Sequence, residues 1–192
     1  MPRKRRTKFS KKPMEGLKPY YIGMRRDTGK GWKKLFDLRN REQYLAWVDE
    51  RKLRIRMVEK LLYGFFWKII ESHFPAFKGG MPYFIVPQFP LKFRDSPAHL
   101  IYGIAFIKFP SEKIVPDAEK RQAIVNVMVD HEKRELMLGR ASYSGLASHR
   151  IAVAKEKRDL ERKGLLEDFL GWLKTEYPKA YKDRVKRWKT KQ

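Results

Sequence analysis

The chain of 192 residues contains no cysteine. Disulfides, thiolate metal sites and cysteine nucleophiles are therefore excluded. Side-chain amides are nearly as scarce: asparagine occurs only at 40 and 126, and glutamine only at 43, 88, 122 and 192. With Lys, Arg and Glu abundant, this is the composition expected of a protein selected at high temperature, and it points to a hyperthermophilic source. Long apolar runs are missing too. The longest, Leu61 to Ile70, is interrupted by Lys68 and is about half of the roughly 20 residues that span a bilayer. Met1 is followed by charge and not by an apolar stretch, so no secretory signal is read. The expected location is inside a cell, or inside a virion or other nucleoprotein particle.

Acid is the remaining shortfall. Lys and Arg number 45 against 22 Asp and Glu, which gives a net charge of +23. The excess is concentrated at the ends. Residues 1–34 hold thirteen bases against Glu15 and Asp27, a net +11, and residues 179–192 hold seven bases against Asp183, a net +6. A surface serving solubility would mix both signs. Blocks of one sign at both ends are the electrostatic footprint of a nucleic-acid binder.

The residues expected to hold phosphate are Arg3, Lys4, Arg5, Arg6, Lys8, Lys11 and Lys12 in the first stretch. Around the turn that follows they are Arg25, Arg26, Lys30, Lys33 and Lys34. At the other end they are Lys182, Arg184, Lys186, Arg187 and Lys189. Arginines grip phosphate bidentately and lysines act as point charges. Phe9, Tyr20, Tyr21 and Trp32 are interleaved with the bases, either to anchor the arm on the core or to stack on unpaired bases.

The pattern predicts a mainly α protein with a small β hairpin or sheet, an α+β fold. A basic, extended arm (1–34) precedes a helix-rich core (35–178) with an extended or β segment near 83–109, and a basic helical tail (179–192) follows. Asp27-Thr28-Gly29-Lys30-Gly31 reads as a turn. Asn40 is a good N-cap, and apolar spacing from Tyr44 to Ile69 predicts one helix over about 41–73, roughly 50 Å long, with Gly64 as a bend. Prolines between 75 and 97 exclude a central strand at 83–93, and Leu100 to Phe109 is the best strand. Pro116 and Asp117 open a helix whose buried face carries Ile124, Val127, Met128 and His131. A helix at about 145–163 has Leu146, Ile151, Ala154 and Leu160 as its apolar line, with Gly164 as its cap. Leu166 to Tyr177 is an amphipathic helix stopped by Pro178, and Tyr181, Val185 and Trp188 line one face of the last.

Little here supports chemistry. His73, His99, His131 and His149 are scattered, with no two at ligand spacing, so no metal is expected. Ser96 and Ser144 lack a Gly-x-Ser-x-Gly context, and the Walker spacing is absent. Asp95 followed by Ile104-Ala105-Phe106-Ile107-Lys108 has the layout of a metal-dependent nuclease, but Phe106 stands where a second carboxylate is needed. The chain is therefore read as no enzyme and as needing no cofactor.

The expected partner is nucleic acid, duplex DNA in preference to RNA, together with copies of the chain or a related subunit. A membrane surface is disfavoured, because the last helix has a thin apolar face. The best reading is a structural protein that coats or packages DNA through phosphate contacts. The alternatives are a ribosome-associated or other ribonucleoprotein component and an inactivated nuclease-like binder. In plan, a basic arm on a helical body, the chain resembles nucleocapsid proteins of filamentous viruses of hyperthermophiles.

Overall fold

A computed structural model describes residues 21–25, 32–52, 57–140 and 145–189. Among these, six helices and six strands follow one another in the order β1 (Tyr21–Arg25), β2 (Trp32–Asp37), α1 (Arg41–Lys52), α2 (Met57–Ser72), β3 (Ala76–Lys78), β4 (Met81–Val86), β5 (Ala98–Ile101), β6 (Ile104–Lys108), α3 (Ala118–Arg140), α4 (Gly145–Arg162), α5 (Leu166–Glu176) and α6 (Pro178–Lys189). The mainly α, α+β class expected from sequence is what the chain adopts.

A mixed four-stranded sheet, ordered β3-β4-β6-β5, is the centre of the molecule. Its two hairpins close on two-residue turns with positive φ at both positions, Gly79–Gly80 and Tyr102–Gly103. Positive φ is costly for tyrosine. The Tyr102 ring is clamped in return, by the Arg51 guanidinium 4.7 Å from its centroid and by an edge contact with Trp67. β4 and β6 run parallel. The sheet is covered on both faces, and β6 shows why it reads as a continuous apolar run. Its Ile104 and Phe106 enter an aromatic cluster with Phe66, Phe84 and Phe89, while Ala105 and Ile107 enter a second cluster with Ile124, Val125, Phe169 and Trp172. Side chains alternate along a strand, so one buried on both sides must be apolar throughout.

Two expectations are corrected here. Residues 41–73 do not form one rod. Residues 44 and 70 of a straight helix would lie about 39 Å apart, yet the Tyr44 hydroxyl reaches the carbonyls of both Ile70 and His73. The chain therefore doubles back between α1 and α2, whose connection at 53–56 is outside the described residues. Within α2 a kink falls at Tyr63, beside Gly64. Second, β4 is an interior strand although it contains Pro82. Pairing with β6 begins only at Tyr83, so Pro82 has just the short edge strand β3 beside it. Near the start of a strand the missing N–H is tolerated.

The arm expected to be extended is partly paired: β1 and β2 form an antiparallel hairpin, with Ile22 opposite Phe36. Its turn at 27–31 lies outside the described residues. The helix ends follow their caps. Asn40 Oδ1 accepts the Gln43 N–H, and Asp117 Oδ1 accepts those of Glu119 and Lys120. Gly164 at φ +65° closes α4, with Leu165 N–H returning to the Leu160 carbonyl. No helix among the described residues is long and apolar enough to cross a membrane.

Candidate functional site

Helix α6 divides two concavities. Pro178 starts it without a wasted N–H, because the first turn has no intrahelical acceptor. Tyr181 and Trp188 pack against the cluster of α3 and α5, and the Trp188 indole N–H donates to the Val153 carbonyl at 3.2 Å. That anchoring turns the remaining faces of α6 toward α4 on one side and toward α3 and the sheet on the other.

The first concavity is a groove of about 870 Å³ between α4 and α6. Arg150, Lys157 and Arg158 of α4 face Lys186 and Arg187 of α6 across it, with Trp188 and Leu146 in the wall. Glu161 and Asp183 are its acids. Each is engaged locally, Lys157 with Glu161 at 3.5 Å and Arg187 with Asp183 at 2.8 Å. Arg150 makes no ion pair among the described residues. Five bases against two acids leave a positive potential in a trough, where low-dielectric walls focus it.

The second concavity, about 830 Å³, is bounded by α3, α4, α6 and the approach to β5. Here the charges point inward. His131 is 3% exposed and Glu156 2%. Arg184 donates to Glu156 through Nε and again through a terminal nitrogen, at 2.7 and 3.3 Å, and reaches His149 Nε2 at 3.3 Å. Glu156 Oε2 also stands 2.9 Å from His131 Nδ1, within ion-pair range but off the line of a hydrogen bond. Glu135 Oε2 lies 3.4 Å from both His131 Nε2 and His149 Nδ1.

The titration behaviour follows from these neighbours. Burial works against the His131 imidazolium, but the charge of Glu156 together with the close contacts of Glu135 and Glu156 outweighs it and raises the pKa to about 9. Burial likewise opposes the Glu156 carboxylate, and the charges of Arg184 and then His131 pull its pKa down to about 2. Glu135, opposed by burial, is drawn to about 2 by its histidine contacts. For Glu132 burial outweighs the charges of His131 and Arg184 and pushes its carboxyl up. His99, in the wall, is lowered by burial and held by the Phe93 carbonyl at 2.8 Å.

Of the residues expected to hold phosphate, Arg3, Lys4, Arg5, Arg6, Lys8, Lys11, Lys12, Arg26 and Lys30 lie outside the described residues. Arg25 is on β1, and Lys33 and Lys34 on β2. Lys182, Lys186, Arg187 and Lys189 lie on α6, and Lys182, Lys186 and Lys189 are exposed. Arg184 is the exception, its guanidinium committed to a buried partner. Arg150, Lys157 and Arg158 were passed over because α4 is charged on most faces.

Of the apolar line read for α4, Leu160 is buried as expected and Ala154 is half-buried, but the rest is rotated outward. Leu146 and Ile151 are 56% and 41% exposed, while Ser148, Glu156 and Asp159 are buried with Ala152, Val153 and Leu160. Histidines that look scattered in sequence meet in space, with the rings of His131 and His149 5.4 Å apart. The one sign available was the four-residue step from His131 to Glu135 on a face otherwise apolar. The nuclease-like residues do not assemble: Asp95 pairs with Lys179, Lys108 pairs with Glu176, and Phe106 is fully buried.

No protein-family model, curated protein or solved structure matches this chain.

Proposed function

We propose that the protein binds nucleic acid through the phosphate backbone and coats or packages it, with the α4–α6 groove as one part of a contact surface that the basic chain ends extend. The observation that carries this reading is the groove itself: five bases from two helices converge on one trough beside an indole, in a chain of net charge +23. Neutralising phosphates releases condensed counterions, which drives binding without reading sequence. Duplex DNA is the preferred ligand, and a hyperthermophilic source accounts for the composition.

The coating role draws on a separate feature. Leu61, Leu62 and Leu91 are 73%, 52% and 79% exposed, and the Lys92 ammonium bonds the Leu62 carbonyl at 2.7 Å, which brings the two segments together. An exposed apolar surface of this kind suits contact between copies. A ribonucleoprotein component, the alternative, would need no such contact.

Electrophoretic titrations with duplex and single-stranded DNA and RNA test the binding. With about eight phosphate contacts, duplex affinity falls by three to five decades between about 50 and 200 mM salt. Absence of binding in dilute buffer, or binding indifferent to salt, would refute it. Light scattering with and without DNA tests the coat: an assembly that forms on DNA and is abolished by Leu61→Asp supports it, and a discrete complex of one chain with RNA favours the alternative.

A further inference from the structure

The inward-facing chamber holds groups that phosphate binding does not use. Glu135 Oε2 sits 3.4 Å from each of two imidazole nitrogens, His131 Nε2 and His149 Nδ1, and the three atoms lie within 4.8 Å of one another. These spacings are long for hydrogen bonds, whose usual N···O separation is about 2.9–3.0 Å. They match the edge of a coordination tetrahedron: ligand atoms about 2.0–2.1 Å from a shared zinc ion lie about 3.3–3.4 Å apart.

We infer that His131, Glu135 and His149 form a binding site for a divalent transition metal of the zinc class, with its fourth position open to the chamber. Two imidazoles and a carboxylate are a donor set this class accepts. Three protein ligands with one open position is the arrangement of sites that bind water or a substrate oxygen. The chamber's 830 Å³ has the size of a small-molecule pocket.

The surroundings suit a cation. Glu132, Glu135 and Glu156 line or approach the chamber; of the two bases in its lining, Arg184 is held by Glu156 and Lys179 pairs with Asp95. Glu156, 2.9 Å from His131 Nδ1, stands on the outer side of the ring, where a rotation of the imidazole would align the hydrogen bond by which a carboxylate orients a metal ligand. Arg184 in turn fixes Glu156. Coordination through His149 Nδ1 places a proton on Nε2, so the 3.3 Å contact from Arg184 must open while its grip on Glu156 stays. The remaining ligand edge, between the two imidazole nitrogens, is within 4.8 Å and would close by rotation of His149, whose side chain is 26% exposed.

The test uses the untagged, full-length chain, stripped with a chelator and titrated with Co²⁺ and then Zn²⁺. The expected result is one Co²⁺ per chain with the intense visible bands of a four-coordinate ion, displaced by Zn²⁺. Glu135→Gln and His149→Ala should each weaken binding at least tenfold, and His73→Ala should leave it unchanged. Absence of saturable binding at one equivalent, or binding that survives both ligand variants, makes the cluster an ion-pair network and overturns the proposal. Should a ligand variant fail to fold by circular dichroism, X-ray absorption of the zinc-loaded wild type decides. A shell with two imidazoles and a carboxylate oxygen supports the site, and one without two imidazoles overturns it.

Discussion

Arg184 and Arg187 stand three residues apart on α6 and meet opposite surroundings. The first has a side chain 14% exposed against a carboxylate that is 2% exposed; the second is 29% exposed against one that is 45% exposed. Bidentate capture of the buried Glu156 is costly to break, because losing Arg184 removes the larger part of that carboxylate's compensating charge. Capture of Asp183 at the groove edge is a solvated i,i+4 contact of a few tenths of a kcal/mol that a phosphate can displace. Identical chemistry thus serves cohesion on one flank of the helix and recognition on the other, and burial decides which.

The largest expected effect tests the inner flank. Arg184→Met should cost about 3 kcal/mol of folding stability by leaving the buried Glu156 with His131 as its remaining counter-charge, measured by chemical denaturation, whereas Lys186→Met should stay within about 0.5 kcal/mol. Equal losses would erase the distinction. The outer flank comes next. Removing Arg150, Lys157 and Arg158 together by alanine should lower duplex affinity by roughly a hundredfold at physiological salt and flatten the log–log salt slope by about 2.7, near 0.9 for each lost contact. Stability should be nearly unchanged, and a variant that binds as wild type would remove the groove from the contact surface.

A gentler effect is spread over pH. In the metal-free protein the carboxylates of Glu135 and Glu156 stabilise the fold above their unfolded range, near 4.5, and that contribution is lost as pH falls toward about 2. His131, raised to about 9, contributes fully below about 6.5 and loses its contribution as pH rises through 9. Glu132 is pushed up by burial, so its contribution is present below its unfolded value near 4.5 and is lost as pH rises from there through its raised folded value. Denaturation midpoints should therefore be highest near pH 4.5 and fall on either side, and a His131→Asn variant should lose the part of the alkaline fall centred near pH 9. The smallest effect is Trp188→Phe, which removes the bond to the Val153 carbonyl at about 1 kcal/mol. It keeps an aromatic face in the groove, so affinity should change by less than about threefold.

Much of the second half of the chain was legible because its signals are local. Asp117, Gly164 and Pro178 mark helix ends by chemistry that acts within one turn, and Ile124, Val127, Met128 and His131 are all buried as their spacing implied. The reversal between α1 and α2 was not legible, since no proline or glycine marks it and what holds it is a contact between Tyr44 and residues 26 and 29 positions away. The inner face of α4 was misread for a related reason. Apolarity was the guide to burial, and Glu156 and Asp159 defeat it by bringing partners, Arg184 for one and Lys155 for the other. The chamber was invisible because His131 and His149 lie 18 positions apart on separate helices.

The strand β6, whose neighbouring side chains enter opposite apolar clusters, has a consequence for how the molecule comes apart. Neither half is a module that can be excised, because a fragment retaining the strand would display a bare greasy flank and one lacking it would lose a wall. Melting should therefore register as one calorimetric step, with the heat absorbed matching that inferred from the steepness of the transition.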